Sequence, residues 1–136
     1  MKSWQGAAGV CVNDRNELLM VLQAAPGEDQ KWTVPSGGKE KTETFEECCV
    51  REIFEETGYT TKVKASIYKK ETLLEGFEVL VHYYAVTCTG GRAVIQDPDE
   101  LIHEIAWKSA DEIGQLPLAF PEDRVLYLEW LQDSDS

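Results

Sequence analysis

Residues 37–59 read GGKEKTETFEECCVREIFEETGY, and within them the run Arg51-Glu52-Ile53-Phe54-Glu55-Glu56-Thr57-Gly58 decides how the chain is read. Glu52, Glu55 and Glu56 stand at i, i+3 and i+4, which at about 3.6 residues per turn brings them to one side of a helix. Like charges at these spacings destabilise an isolated helix by a few tenths of a kcal/mol. A compensating positive charge is therefore expected, and Arg51 alone does not neutralise three carboxylates. Oxygen ligands on one rigid face suit Mg²⁺ or Mn²⁺, which complete their shells with water and substrate phosphate.

The ends of the helix are written in the same stretch. Thr44 followed by Glu47 is a capping box, so the helix is expected to start near Phe45. Gly58 can take the left-handed conformation that closes a helix at its C-terminus. With Glu52 at the zero of a helical wheel, Glu55 falls at about 300° and Glu56 at about 40°, while Val50, Ile53 and Phe54 fall at roughly 100° to 200°. This places the acidic and apolar faces nearly opposite. Ahead of the helix, Pro35-Ser36-Gly37-Gly38 follows the strand-like Trp32-Thr33-Val34. A proline beside two glycines predicts a sharply bent connection whose backbone comes close to a ligand.

These residues resemble the Nudix box, G-x5-E-x7-R-E-U-x-E-E-x-G-U with U a bulky apolar residue. Every defined position is filled, by Gly37, Glu43, Arg51, Glu52, Ile53, Glu55, Glu56 and Gly58, with Tyr59 as a slightly polar last U. Short motif matches carry false positives, and the alternative is an amphipathic helix with a solvated acidic face; Gly37 and Glu43 at the right offsets weigh against it. One departure is Thr42, where many members of the Nudix (MutT-like) family have Gly.

The resemblance implies an α+β Nudix fold, a mixed β-sheet sandwiched between α-helices, as one domain over 1–136. It implies metal-dependent hydrolysis of a nucleoside diphosphate linked to another moiety. Carried over by position, Glu52, Glu55 and Glu56 are the metal-facing carboxylates, Glu52 and Glu56 foremost, and the Ser36 carbonyl adds an oxygen. Gly37, Glu43, Arg51 and Gly58 support the site, with Arg51 and Glu43 paired to anchor the loop. The family's general base is not always in the box; Asp97-Pro98-Asp99-Glu100 and Glu104 offer candidates, of which Glu100 is chosen. Each of these, taken singly, reads equally well as a solvated acidic turn.

Composition agrees with a small enzyme. The chain has 136 residues, enough for one domain with a core. A net charge of −12 disfavours a long nucleic-acid partner, because polyanion binding draws on Lys and Arg clusters. The expected partner is a small nucleotide, its phosphates reached through metal ions; monomer and homodimer both stay open. No segment approaches the roughly 20 apolar residues of a membrane span, and the apolar run at 7–12 is too short for a signal peptide. Cys11, Cys48, Cys49 and Cys88 show no CxxC or disulfide framework and read as small core or boundary residues in a reducing cytoplasm. His82 and His103 have no second ligand at metal spacing. Neither a Gly-x-Ser-x-Gly elbow nor a Gly-Lys-Ser/Thr loop is present.

Strands are expected at 7–13 and 18–23, forming a hairpin around Asp14-Arg15-Asn16, then at 32–34, 62–69, 77–87, 93–96 and 103–107. Ser109 to Glu112 is a second capping box opening a short helix. Pro121 suits the first turn of a C-terminal helix with Val125, Leu128 and Leu131 on one face, ending in a frayed tail at 133–136. Trp4, Trp32, Tyr83 and Trp107 are candidates to stack on a base, although each is more often core. Signatures that the family associates with NADH, coenzyme A, ADP-ribose and dinucleoside polyphosphates are not found. A nucleoside triphosphate pyrophosphatase is left by elimination, with an ADP-ribose or nucleotide-sugar pyrophosphatase, or a catalytically silent nucleotide-binding module, as alternatives.

Overall fold

The computed structural model describes residues 2–97 and 100–135. Pro98 and Asp99 of the expected acidic loop, and Ser136 of the expected tail, lie outside the described residues. The elements are β1 (Lys2–Cys11), β2 (Leu18–Gln23), β3 (Lys31–Thr33), β4 (Ser36–Gly38), α1 (Phe45–Thr57), β5 (Tyr59–Leu74), β6 (Phe77–Gly91), β7 (Ile102–Lys108), α2 (Ala110–Ile113) and α3 (Arg124–Asp135), with a 3₁₀ turn at Pro121–Asp123.

Helix α1 begins where its cap dictates. Glu47 N–H donates to Thr44 Oγ1 at 3.1 Å and Thr44 N–H donates to Glu47 Oε1 at 2.8 Å, satisfying two amides that have no helical partner. It ends at Gly58, φ 82°, whose N–H donates to the Phe54 carbonyl. The carbonyls beyond are taken by the chain after β6: Val94 N–H donates to Thr57 O and Gln96 N–H to Glu55 O, both at 2.9 Å. The expected strand at 93–96 is therefore absent. Its amides cap a helix C-terminus instead of joining a sheet.

Two sheets form, not one. The first, ordered β4-β1-β6-β5, is mixed, with β1 parallel to β6 and the other pairs antiparallel; the second, β3-β2-β7, is antiparallel. The expected β1–β2 hairpin fails. Among the described residues a single isolated bridge, Val12 with Leu18, joins the end of β1 to β2, because β1 has both edges filled by β4 and β6, and β2 by β3 and β7. The bent Pro35–Gly38 segment is also partly strand, since β4 pairs Ser36, Gly37 and Gly38 with Ala8, Ala7 and Gly6.

Alternation along β1 supplies the layers. Ala7 and Cys11 face α1, where Cys48, Cys49 and Ile53 pack with Leu19, Tyr84 and Val86. Ala8 and Val10 face the other way, toward Leu18, Met20, Tyr83, Ile113, Tyr127 and Leu131. Helices thus cover both sides, as expected for a sandwich. Each large apolar side chain so buried contributes roughly 1.5–3 kcal/mol. Gly9 permits the approach of α1: a Cβ there would meet Ile53 Cδ1 at 2.4 Å.

Two helix faces differ from expectation. The core face of α1 is Cys48, Cys49, Ile53 and Thr57, and it includes Glu56, whereas Phe54 is exposed. The acidic and apolar faces are thus neighbours. On α3, Val125 is exposed and Tyr127 with Leu131 is buried. The 3₁₀ turn opened by Pro121 rotates the register, and Arg124 fixes it by donating to the carbonyls of Ile113 and Leu116. Helix α3 continues through Asp135, across most of the expected tail. Among the described residues no helix is long and apolar enough to cross a membrane.

Candidate active site

Three elements meet at the box: β4 below, α1 alongside, and the segment after β6 against the helix C-terminus. Glu56 is 8% exposed, and its Oε1 accepts from the Ser36 N–H at 3.2 Å. Burial pushes its pKa up to about 9, and the neighbouring Glu52, Asp97 and Glu55 push in the same direction. Burial also raises Glu52, to about 7, although Arg51 Nη1 donates to it at 2.6 Å. The Glu52 carboxylate lies on the backbone of Gly37; a Cβ there would stand 2.0 Å from Oε2. Gly37 therefore matters for close approach.

Arg51 is the hub. Its Nε and Nη2 donate to Glu43 at 2.9 and 2.6 Å, Nη2 also to the Gly38 carbonyl at 2.9 Å, and Nη1 to Glu52 at 2.6 Å and Glu55 at 3.2 Å. The two-pronged bond from Arg51 holds the Glu43 carboxyl down at about 2. This guanidinium serves Glu43, Glu52 and Glu55 and leaves Glu56 with one amide donor.

A buried carboxylate with a single N–H partner, beside a second carboxylate held near neutrality, is an oxygen-donor pair short of positive charge. That chemistry fits a hard divalent cation. Among the described residues no three His, Cys, Asp or Glu side chains are gathered in a coordinating group. Glu52 and Glu55 turn instead toward Arg51. Glu56 and Glu52 are the groups suited to hold the ion, with Glu55 and the Ser36 backbone beside them.

The acidic loop separates two candidates. Asp97 contributes to the electrostatics of Glu56, and its carboxylate accepts from the amides of Leu101 and Ile102. Glu100, the residue chosen from the sequence, lies three residues further on. It adopts φ 57° and lines a depression with Pro26, Glu28 and His103. Glu104 is exposed on β7, paired with Leu22.

The remaining candidates resolve into structure. His82 stacks on Phe45 with centroids 3.8 Å apart, and burial lowers its pKa. His103 Nε2 lies 3.1 Å from the Ala24 carbonyl. Cys11, Cys48 and Cys49 are buried, and burial pushes their thiols up to about 11, 12 and 12, away from thiolate chemistry. Trp32 is buried beneath Lys108, and Trp107 Nε1–H donates to the Tyr59 hydroxyl. Tyr83 is buried and its hydroxyl donates to Asp123 at 2.6 Å. The sequence reading missed Lys70, which pairs with Asp123 at 2.7 Å across the fold. A lysine in an alternating strand carries no local sign of a partner 53 residues away.

The NUDIX domain model matches residues 3–131. A provisionally named 8-oxo-dGTP diphosphatase of Bacillus subtilis (strain 168) is 30% identical over 122 residues, covering 88% of this chain and 74% of that protein. Among solved structures, a NUDIX hydrolase from Nitrosomonas europaea superposes with a TM-score of 0.82 at 22% identity, over 98% of this chain and 90% of the other. An ADP-ribose pyrophosphatase from Streptococcus suis does so with a TM-score of 0.74 at 17% identity, over 98% and 92%.

Proposed function

The chain belongs to the NUDIX domain family, and on that premise we propose that this Nudix hydrolase is a divalent-cation-dependent nucleoside triphosphate pyrophosphatase, yielding nucleoside monophosphate and pyrophosphate. The observation that carries the reading is Glu56, buried, reached by one amide and lying next to Glu52. A silent binding module has no need to keep a buried carboxylate at that cost. The name of the Bacillus subtilis relative supports a triphosphate over ADP-ribose.

The residues divide the work. Mg²⁺ or Mn²⁺, when bound at Glu56 and Glu52, supplies charge neutralisation for the phosphate oxygens and lowers the pKa of water. Arg51 holds Glu43 and the Gly38 carbonyl, fixing the loop that carries Ser36 and Gly37 beneath the carboxylates. Ser36 N–H orients Glu56. With Glu52 and Glu56 taken up in holding the cation, Glu55, part-exposed beside them, is the box carboxylate left to accept the proton of the attacking water. Water adds to the β-phosphorus, the bond from that phosphorus to the α-bridging oxygen breaks, and the monophosphate leaves with that oxygen.

A panel of nucleoside triphosphates, ADP-ribose and nucleotide sugars, assayed with Mg²⁺ and Mn²⁺ in ¹⁸O-labelled water, tests this. The expected result is pyrophosphate carrying the label. Label in the monophosphate moves the attack to the α-phosphorus. Inert triphosphates with ADP-ribose or a nucleotide sugar cleaved overturn the substrate assignment, and full turnover in chelator overturns the metal dependence.

A further inference from the structure

One cavity, of about 430 Å³, adjoins the box without belonging to it. Its lining includes Trp4 from β1, Lys70 from β5, Tyr83 from β6, Phe120 and Glu122 from the turn before α3, and Ser36, whose amide holds Glu56. A ligand with phosphates at the carboxylates can therefore reach the cavity past Ser36.

Two features give the cavity a chemistry. Trp4, 42% exposed, lies across glycine backbone: a Cβ on Gly6 would stand 2.5 Å from its Cη2, and one on Gly38 3.3 Å from its Nε1. The indole is thus a supported flat surface in the cavity wall, and Gly38 is also the residue whose carbonyl Arg51 holds. The second feature is Lys70, whose ammonium lies 4.7 Å from the Phe120 ring centre and 5.5 Å from that of Tyr83. Two of its three N–H bonds are matched by Asp123 at 2.7 Å and Glu122 at 3.2 Å. Asp123 is 2% exposed and also takes the Tyr83 hydroxyl, so it anchors the lysine from below.

Resting on the triphosphate reading above, which puts the base in this cavity beside the phosphates, we propose that Trp4 is its stacking platform and that Lys70 selects bases carrying a ring carbonyl. Hypoxanthine, guanine and uracil present a carbonyl for the third Lys70 N–H beside a ring N–H for the Glu122 carboxylate. Adenine has no carbonyl to offer.

Uncharged nucleosides test this without metal or phosphate. Inosine, uridine and adenosine, with ribose as the base-free control, are titrated in chelator into the ¹⁵N-labelled protein. The Trp4 indole N–H resonance is identified by its loss in Trp4→Phe. The expected result is a saturable shift of that resonance with inosine and uridine, about fivefold weaker binding of adenosine, and no shift with ribose. Trp4→Leu abolishes binding. Lys70→Met removes the preference; because it strips Asp123 of its cation, it is made together with Asp123→Asn, which keeps an acceptor for Tyr83. Equal affinity for adenosine, shifts confined to Trp32 or Trp107, or no binding at all overturns the inference. Triphosphate cleavage in the panel above is scored separately, so base binding without cleavage removes the triphosphate reading and cleavage without base binding removes this one.

Discussion

The Ser36 N–H donates to Glu56 Oε1 at 3.2 Å, and among the described residues it is the one hydrogen-bond donor reaching that carboxylate. Burial opposes its charge most, followed by the neighbouring Glu52. Its folded pKa is raised, so the proton lost by the unfolded chain near 4.5 is kept by the folded protein up to about 9. Folding then binds more protons than unfolding across that window. Metal-free protein should lose stability as pH rises from about 4.5 to about 9 and level off above. Melting curves in chelator check this; Mg²⁺ should flatten the slope, and Glu56→Gln should remove most of it while abolishing turnover. At pH 8 without metal, Glu56→Gln should melt at or above the parent, by about 4 °C for each kcal/mol recovered.

Arg51 carries the opposite sign. Its guanidinium depresses Glu43 from 4.5 to about 2, so stability from this pair is present above 4.5 and is lost as pH falls toward 2. Arg51→Ala also frees the Gly38 carbonyl and leaves Glu52 without its donor. The arginine side chain is 26% exposed, which tempers the loss to about 1–3 kcal/mol. Turnover should fall with it. Arg51→Lys restores charge but not the fork, and should recover less than half of the melting temperature. A variant that melts like the parent and loses only substrate affinity makes Arg51 a phosphate contact.

Gly37 and Gly58 give a contrasting pair. A Cβ at Gly37 meets the free end of the Glu52 side chain, which moves aside, so Gly37→Ala should fold with a melting temperature within about 3 °C of the parent. Its kcat should drop by about tenfold or more, because the displaced carboxylate is one of the two assigned to hold the cation. At Gly58 the obstruction is backbone, Arg92 O at 2.3 Å, and φ is 82°. Gly58→Ala should therefore cost roughly 1–3 kcal/mol of stability. Paired melting and kinetic measurements separate the two cases.

Local signals proved readable and non-local ones did not. Thr44, Glu47 and Gly58 act within a few residues, so the bounds of α1 follow from them. Strand partnership depends on what else occupies each edge, which is why adjacent β1 and β2 entered different sheets. Hydropathy sends Glu outward and Phe inward; on α1 the small Cys48 and Cys49 set the core side, which drew Glu56 inward and left Phe54 exposed. The lysine under Phe120 was hidden because its partners are brought by the turn before α3.

Asp97 and Glu100 stand three residues apart, and Asp97 is among the charges that raise the pKa of Glu56. Its carboxylate also holds the amides of Leu101 and Ile102. Asp97→Asn keeps one acceptor oxygen for those amides and deletes the charge. With Asp97 neutral, Glu56 deprotonates more readily, so the pH slope of metal-free stability should shrink. If Asp97 also draws in the divalent cation, the activity at limiting Mg²⁺ should fall by about tenfold, equivalent to about 1.4 kcal/mol, and recover at saturating metal. Glu100→Gln should leave both readouts within about twofold of the parent, since Glu100 lines a separate depression with Pro26 and His103. Titrating activity against Mg²⁺ for the two variants decides between them: a large loss in Glu100→Gln with Asp97→Asn unchanged returns the general base to Glu100 and requires the loop to move during catalysis.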